Sequence, residues 1–188
     1  MLRGIVAAVK LASKTVLVIY LFLLLWIILF KFSTDPLSLI DQGRSLNLYP
    51  FASYSSVNVS ELIYNFLVFI PLGALLSVNL KNSTFWSKLA FIFLLSFGVE
   101  TAQYMLAVGA TDISDLISNT GGGLVGLTLY GLGKLSLDEE KLDRFVTLTT
   151  MSLLMVFVVL LGALLSLGAR FQSPQSPPPN APPRTLYH

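Results

Sequence analysis

The residues that could support chemistry in this chain are concentrated between positions 100 and 126. This stretch contains the carboxylates Glu100, Asp112 and Asp115 and the amides Gln103 and Asn119, and the sequence around them is almost wholly apolar. An ionisable side chain inside a bilayer costs several kcal/mol unless it is paired, neutralised or facing water. These groups are therefore candidates for hydrogen bonding to a ligand, for acid/base catalysis or for binding a cation.

The remaining composition excludes several other chemistries. The chain has no cysteine, and its one histidine is His188. Thiolate metal sites and Ser/His or Cys/His nucleophile systems are therefore excluded. The formal charge of +2 and the lack of a basic patch with interleaved aromatic residues give no support for a nucleic-acid partner.

The overall composition is that of a membrane protein. Of the 188 residues, 54% are hydrophobic and only 12% are charged, and the mean hydropathy is +0.75. A soluble domain of this size has more charge. The sequence therefore predicts an all-α fold, a polytopic bundle of transmembrane helices.

The order of apolar segments predicts about five membrane spans. They cover residues 15–30, 61–80, 85–108, 112–133 and 145–168. Residues 1–14 are expected to be a cytoplasmic N-terminus, residues 134–144 a charged turn, and residues 169–188 a proline-rich, disordered tail. The connection from about 31 to 60 is expected either to anchor at the membrane interface or to fold back over the helix ends. The distribution of lysine and arginine favours a cytoplasmic N-terminus and an external C-terminus.

This topology brings the polar residues into one layer near the outer helix ends. Glu100 and Gln103 are three residues apart, and Asp112, Asp115 and Asn119 follow at spacings of three and four, so each set shares one helix face. Asn65 begins the second span at a similar depth. Gly122 and Gly126 continue the stripe as a small-xxx-small pair, which permits close helix packing.

Two explanations of the aspartates remain open. Asp112 and Asp115 could simply cap the fourth helix, but capping does not explain Asn119 or Glu100. If all three carboxylates are ionised, the layer needs compensation. That compensation could be a raised pKa at Glu100, a cationic ligand, a divalent cation such as Mg²⁺ held by Asp112 and Asp115, or Arg44 from the first connection.

The motifs together resemble the VanZ-like membrane proteins. The matching elements extend over about residues 15–133 and are Asn47-Leu-Tyr-Pro-Phe51, Asn65 through Pro71-Leu-Gly73, Glu100-Thr-Ala-Gln103, Asp112-Ile-Ser-Asp115, and Asn119-Thr-Gly121 with Gly126. The resemblance implies a multi-pass protein of the bacterial cytoplasmic membrane, linked in the type case to reduced teicoplanin susceptibility. The family usually has an arginine shortly before the Asp-x-x-Asp pair, where this chain reads Val108-Gly109-Ala110-Thr111.

Two interpretations of function follow. In the first, an outward-facing polar pocket binds a membrane lipid, a cell-wall precursor or a glycopeptide through Asn65, Glu100, Gln103, Asp112, Asp115, Asn119 and Arg44. In the second, the protein is an integral-membrane enzyme acting on a lipid-linked or cell-wall substrate. Glu100 and Asp115 would then be catalytic, with Asp112 and Asp115 holding the divalent cation.

Overall fold

The computed structural model describes residues 2–30, 45–47, 59–107 and 110–172. These residues form helices α1 (Leu2–Phe30), α2 (Val59–Asn79), α3 (Phe85–Leu106), α4 (Ile113–Ser136) and α5 (Glu139–Gln172), with short strands β1 (Ser45–Asn47) and β2 (Ala110–Asp112). The predicted all-α class is confirmed, and the strand pair is an addition that the sequence did not predict.

Four segments of the described chain are long and apolar enough to cross a membrane. They are Val9–Leu29, Val59–Asn79, Phe85–Leu106 and Glu139–Leu164. The chain is therefore a membrane protein. Helix α4 does not belong to this set, and its composition explains why, because it combines Asp115 and Asn119 with several glycines.

The chain forms two compact units, Met1–Met151 and Ser152–His188. The first contains α1 to α4, both strands and the beginning of α5. In the second unit, the described residues are the remainder of α5, which exposes apolar side chains such as Leu153, Val159 and Leu164.

The closest helix packing is between α2 and α4 and depends on glycine. A Cβ atom built on Gly122 would lie 2.0 Å from the carbonyl oxygen of Phe66, and one on Gly126 would lie 2.0 Å from that of Ile70. From the other side, a Cβ atom on Gly73 would lie 2.2 Å from the carbonyl oxygen of Gly123. The two backbones touch, so the stripe predicted from Gly122 and Gly126 is a helix interface.

Helix α1 packs on the bundle through one narrow stripe. Its buried side chains are Ser13, Val16, Tyr20, Leu24 and Ile28, a spacing of three or four residues that keeps them on one face. The Tyr20 hydroxyl donates a hydrogen bond of 2.6 Å to the carbonyl oxygen of Val68 in α2. This carbonyl lies one residue after that of Leu67, the group that the missing N–H of Pro71 leaves without its helical partner.

A cluster of ion pairs joins the α2–α3 connection to the region between α4 and α5. The Lys81 ammonium contacts Glu139 at 2.6 Å and also Asp143, and Lys134 contacts Glu139 at 3.1 Å. The Tyr130 hydroxyl donates to Asp143 at 2.7 Å. These contacts place the two connections at the same end of the first unit.

The boundaries of two predicted segments require correction. The predicted turn 134–144 is largely helical, because α4 continues to Ser136 and α5 begins at Glu139. Acidic residues favour a helix N-terminus, and Arg144 pairs with Glu140 one turn earlier. The first candidate span likewise begins at Val9 rather than at about residue 15, within a helix that starts at Leu2.

A pair of short strands lies next to the C-terminal end of α3, away from the ion pairs. Strand β1 pairs in parallel with β2, and Ser45 is in register with Ala110 and Asn47 with Asp112. Residues 45–47 of the first connection therefore lie beside the start of α4, and the rest of the stretch before α2, on which the two expected alternatives depend, lies outside the described residues.

Candidate functional site

The backbone between α3 and α4 positions the first carboxylate. Ala107 ends α3 in the left-handed conformation, with φ 54°, and its N–H bonds to the carbonyl oxygens of Gln103 and Tyr104. Strand β2 then leads to Asp112, whose Oδ1 accepts a hydrogen bond of 2.8 Å from the Ser114 N–H. Asp112 is thus the N-cap of α4, as its position in the sequence predicted.

Glu100 connects α3 to this cap. Its side chain is only 5% exposed, and its Oε2 accepts a hydrogen bond of 3.2 Å from the backbone N–H of Asp112. A carboxylate at this position satisfies a backbone donor near the positive end of a helix. The structure therefore brings together Glu100 and Asp112, which the sequence placed in one layer.

Asn119 forms the second link between α3 and α4. It is fully buried, and its Nδ2 donates a hydrogen bond of 2.9 Å to Oγ of Ser96. Sequence reasoning missed Ser96. The available signal was its spacing, because Ser96, Glu100 and Gln103 follow one another at intervals of four and three on one face of α3.

Gln103 links the same face to α1. Its side chain is 1% exposed, and its Nε2 donates a hydrogen bond of 2.9 Å to the carbonyl oxygen of Ile28. Glu100 and Gln103 therefore share a helix face, as expected, but reach different neighbours.

Asp115 and Asn65 complete the list of described candidate residues. Asp115 lies in the first turn of α4 and is 6% exposed. Asn65 is half-buried on α2, between Leu62, whose carbonyl accepts a 2.5 Å hydrogen bond from Ser118, and Phe66, which packs on Gly122. Its side chain makes no hydrogen bond to the other residues that the structure describes. We call the polar residues at the α3–α4 contact the polar cluster, which consists of Ser96, Glu100, Gln103, Asp112, Asp115 and Asn119.

The polar cluster contains buried acceptor atoms. Oε1 of Gln103 and Oδ1 of Asn119 are buried and accept no hydrogen bond within the described part of the chain. A buried amide oxygen left without a donor costs about 1–3 kcal/mol. Together with three carboxylates, these atoms make a region suited to a molecule that donates hydrogen bonds.

The cluster has fewer ligands for a metal than a complete site requires. Within the described ranges, no group of three or more His, Cys, Asp or Glu side chains is arranged to hold a metal ion. A Mg²⁺ ion on Asp112 and Asp115 would need further oxygen ligands besides these two carboxylates. Arg44, the candidate cation, and Gly109, near the position of the family arginine, lie outside the described residues.

The polar cluster lies within the part of the chain that matches a known family. The family described as VanZ/LLP1 matches residues 17–134. The chain belongs to the VanZ/LLP1 family. It is also similar to Protein VanZ of Enterococcus faecium, with 43% identity over 151 residues, which cover 80% of this chain and 92% of that protein. The resemblance found in the motifs is confirmed. No solved structure matches the chain.

Proposed function

We propose that this VanZ/LLP1 protein binds the polar part of a lipid, a cell-wall precursor or a glycopeptide at the outer face of the bacterial cytoplasmic membrane. The proposal is carried by the buried, acceptor-rich polar cluster. Packing alone would favour apolar side chains at these positions, since polar groups inside a membrane bundle are costly unless they serve a function or are fully paired.

The chemistry of the cluster defines the ligand class. Carboxylates accept hydrogen bonds when ionised, and the free amide oxygens of Gln103 and Asn119 also accept. The complementary groups on a ligand are hydroxyl, amide N–H and ammonium donors. Sugar and peptide parts of cell-wall precursors and of glycopeptides carry such donors, and so do several lipid headgroups.

The outward orientation rests on the basic residues. In a five-span arrangement that includes α4, eight of the twelve lysines and arginines lie at the N-terminal end of the bundle, which is then cytoplasmic by the positive-inside rule. The ion pairs of Lys81 and Lys134 gather part of this charge at one end, and the polar cluster lies at the opposite end of α3.

Arg44 is the cation that we propose for the cluster. It directly precedes Ser45, whose register partner Ala110 lies two residues before Asp112. This is the region where VanZ-like proteins usually carry their arginine. A guanidinium near two or three carboxylates would offset their mutual repulsion and keep them ionised.

The proposal is tested by expressing variants in a teicoplanin-susceptible bacterium and measuring the inhibitory concentration together with the amount of membrane-inserted protein. Glu100→Gln keeps an acceptor for the Asp112 N–H but removes the charge, and Asp115→Asn does the same on α4. A binding site should lose part of any protection, whereas an enzyme that needs the Glu100 carboxylate should lose all of it. Thr101→Val is the matched control, since Thr101 is exposed and, within the described ranges, its hydroxyl bonds only to the Phe97 carbonyl of the same helix.

A second measurement separates binding from metal-dependent catalysis. Stabilisation of the purified protein by Mg²⁺ that disappears in Asp115→Asn would favour the enzyme. If wild type, Glu100→Gln and Asp115→Asn protect equally, the cluster has only a packing role and the proposal is wrong.

A further inference from the structure

A polar cavity lies at the end of the bundle opposite the polar cluster. Its volume is about 420 Å³, within the range of roughly 300–1,000 Å³ that is usual for ligand sites. It lies between α1, the end of α2 with the following connection, and the first turns of α5. Its charged and amide side chains are Lys10, Lys14, Lys81, Asn79, Asn82 and Asp143.

The cavity has an excess of cationic donors. Lys10, Ser13 and Lys14 occupy one face of α1, and neither Lys10 nor Lys14 forms an ion pair with any residue that the structure describes. The carboxylate of Asp143 is already engaged on both oxygens, by Lys81 and by the Tyr130 hydroxyl. The Asp143 carboxylate therefore does not neutralise the charges of Lys10 and Lys14 on α1.

Lys81 remains protonated in this cavity. Partial burial acts to lower its pKa, but the hydrogen bonds to Asp143 and Glu139 outweigh that effect and raise it above the ordinary value. An ammonium group has three hydrogens, and the two carboxylates use two of them. The third can contact a ligand without breaking either ion pair.

The position of the cavity is that of lipid headgroups. Lys10 and Lys14 lie in the first turns of the span Val9–Leu29, and Asn79 is the last residue of α2. Leu80, which also lines the cavity, is 39% exposed, and Leu11 beside Lys10 is 68% exposed. The cavity thus offers donors for a phosphate, next to apolar surface along which an acyl chain can lie.

We propose that this cavity binds the phosphate of an anionic phospholipid headgroup. Lys10 and Lys14 supply the charge, and Lys81 and the amide of Asn82 supply further hydrogen-bond donors. The site is independent of the ligand proposed for the polar cluster, and it would bind the inner-leaflet headgroup if the N-terminus is cytoplasmic.

The test measures thermal unfolding of the full chain in neutral detergent while dioleoylphosphatidylglycerol or dioleoylphosphatidylcholine is added. The midpoint temperature of unfolding should rise saturably with the anionic phosphatidylglycerol and not with the zwitterionic phosphatidylcholine. In the double variant Lys10→Gln/Lys14→Gln, the apparent affinity should fall roughly 25-fold, at about fivefold for each lysine near an anionic surface. The double variant should fold, since both lysines are exposed.

The matched control is Lys88→Gln/Lys141→Gln, which removes the same charge at the same end but outside the cavity. It should keep the affinity of the wild type. Equal loss in the two double variants, or equal stabilisation by the two lipids, would overturn the proposal. Addition of glycerol 1-phosphate without anionic lipid identifies the source of the phosphate. If glycerol 1-phosphate does not change the unfolding midpoint, the ligand is a lipid. If it raises the midpoint saturably in the wild type but not in Lys10→Gln/Lys14→Gln, the ligand is a soluble phosphate instead.

Discussion

Three side chains of the polar cluster each form a hydrogen bond to a different residue, two across the α3–α4 contact and one to α1. Glu100 holds the backbone of Asp112, Gln103 holds a carbonyl of α1, and Asn119 holds Ser96 across the α3–α4 interface. Because the three hydrogen bonds share no donor or acceptor atom, the loss of one should leave the others in place. Individual substitutions can therefore separate the contribution of each residue to stability from its contribution to function.

The hydrogen bond between Asn119 and Ser96 can be measured by a double-mutant cycle. We expect Asn119→Ala and Ser96→Ala to show a coupling energy of about 0.6 kcal/mol, the average for hydrogen bonds between membrane helices, and at most about 1.7 kcal/mol. Equilibrium unfolding in mixed micelles gives the four free energies. The control combines Ser96→Ala with Thr128→Ala, whose effects should be additive, because Thr128 is exposed and, among the described residues, its hydroxyl bonds to Leu124 alone. Additivity in the Asn119 pair would contradict the contact.

Residue types and spacing predicted that the polar side chains lie at one depth, but they did not predict all of the hydrogen-bond partners of these side chains. Helical periodicity specifies the face on which Glu100 and Gln103 lie, whereas their partners depend on where α1 and α4 pack. Serine was ambiguous for a physical reason. Its hydroxyl often bonds within its own helix, as Ser77 does to the carbonyl of Gly73. Only the packed structure shows that Ser96 instead accepts from Asn119.

At the scale of elements, the glycine stripe and the strand pair fix the position of α4. The stripe predicted from Gly122 and Gly126 could be found because small residues four apart are a recognisable packing signal. The strands could not be found, because β1 and β2 have three residues each and are too short for an alternating pattern. Their pairing depends on the approach of two connections that are distant in sequence.

Substitution of Gly126 tests the close approach of α2 and α4. Gly126→Ala would place a methyl group 2.0 Å from the Ile70 carbonyl oxygen, so the helices must separate, and we expect a loss of about 3 kcal/mol in unfolding free energy. Gly131→Ala is the matched control on the same helix. A Cβ atom there meets nothing within 4 Å, and alanine should be neutral or stabilise by up to about 1 kcal/mol. Equal effects at both positions would contradict this packing.

At the largest scale, the two opposed ends of the first unit have different chemistry. Carboxylates and amides dominate the end where α3 meets α4, while lysines and their ion pairs dominate the end formed by the α2–α3 connection and the start of α5. Composition predicted this asymmetry through the distribution of basic residues. It did not predict the cavity beside Lys10, because its lining comes from three separate segments. The orientation of the bundle in the membrane decides which end is extracellular, and therefore whether the polar cluster can meet an extracellular ligand.

The absence of cysteine makes this orientation directly measurable, because single introduced cysteines are the only thiols. We expect Asn82→Cys, in the exposed α2–α3 connection, to react with a membrane-impermeant maleimide only after permeabilisation. Ser56→Cys in the first connection and Ser176→Cys in the C-terminal segment, both outside the described residues, should react in intact cells. Labelling of Asn82→Cys in intact cells would reverse the orientation and place the polar cluster on the cytoplasmic side. Protection of Ser176→Cys alone would show instead that α5 does not cross.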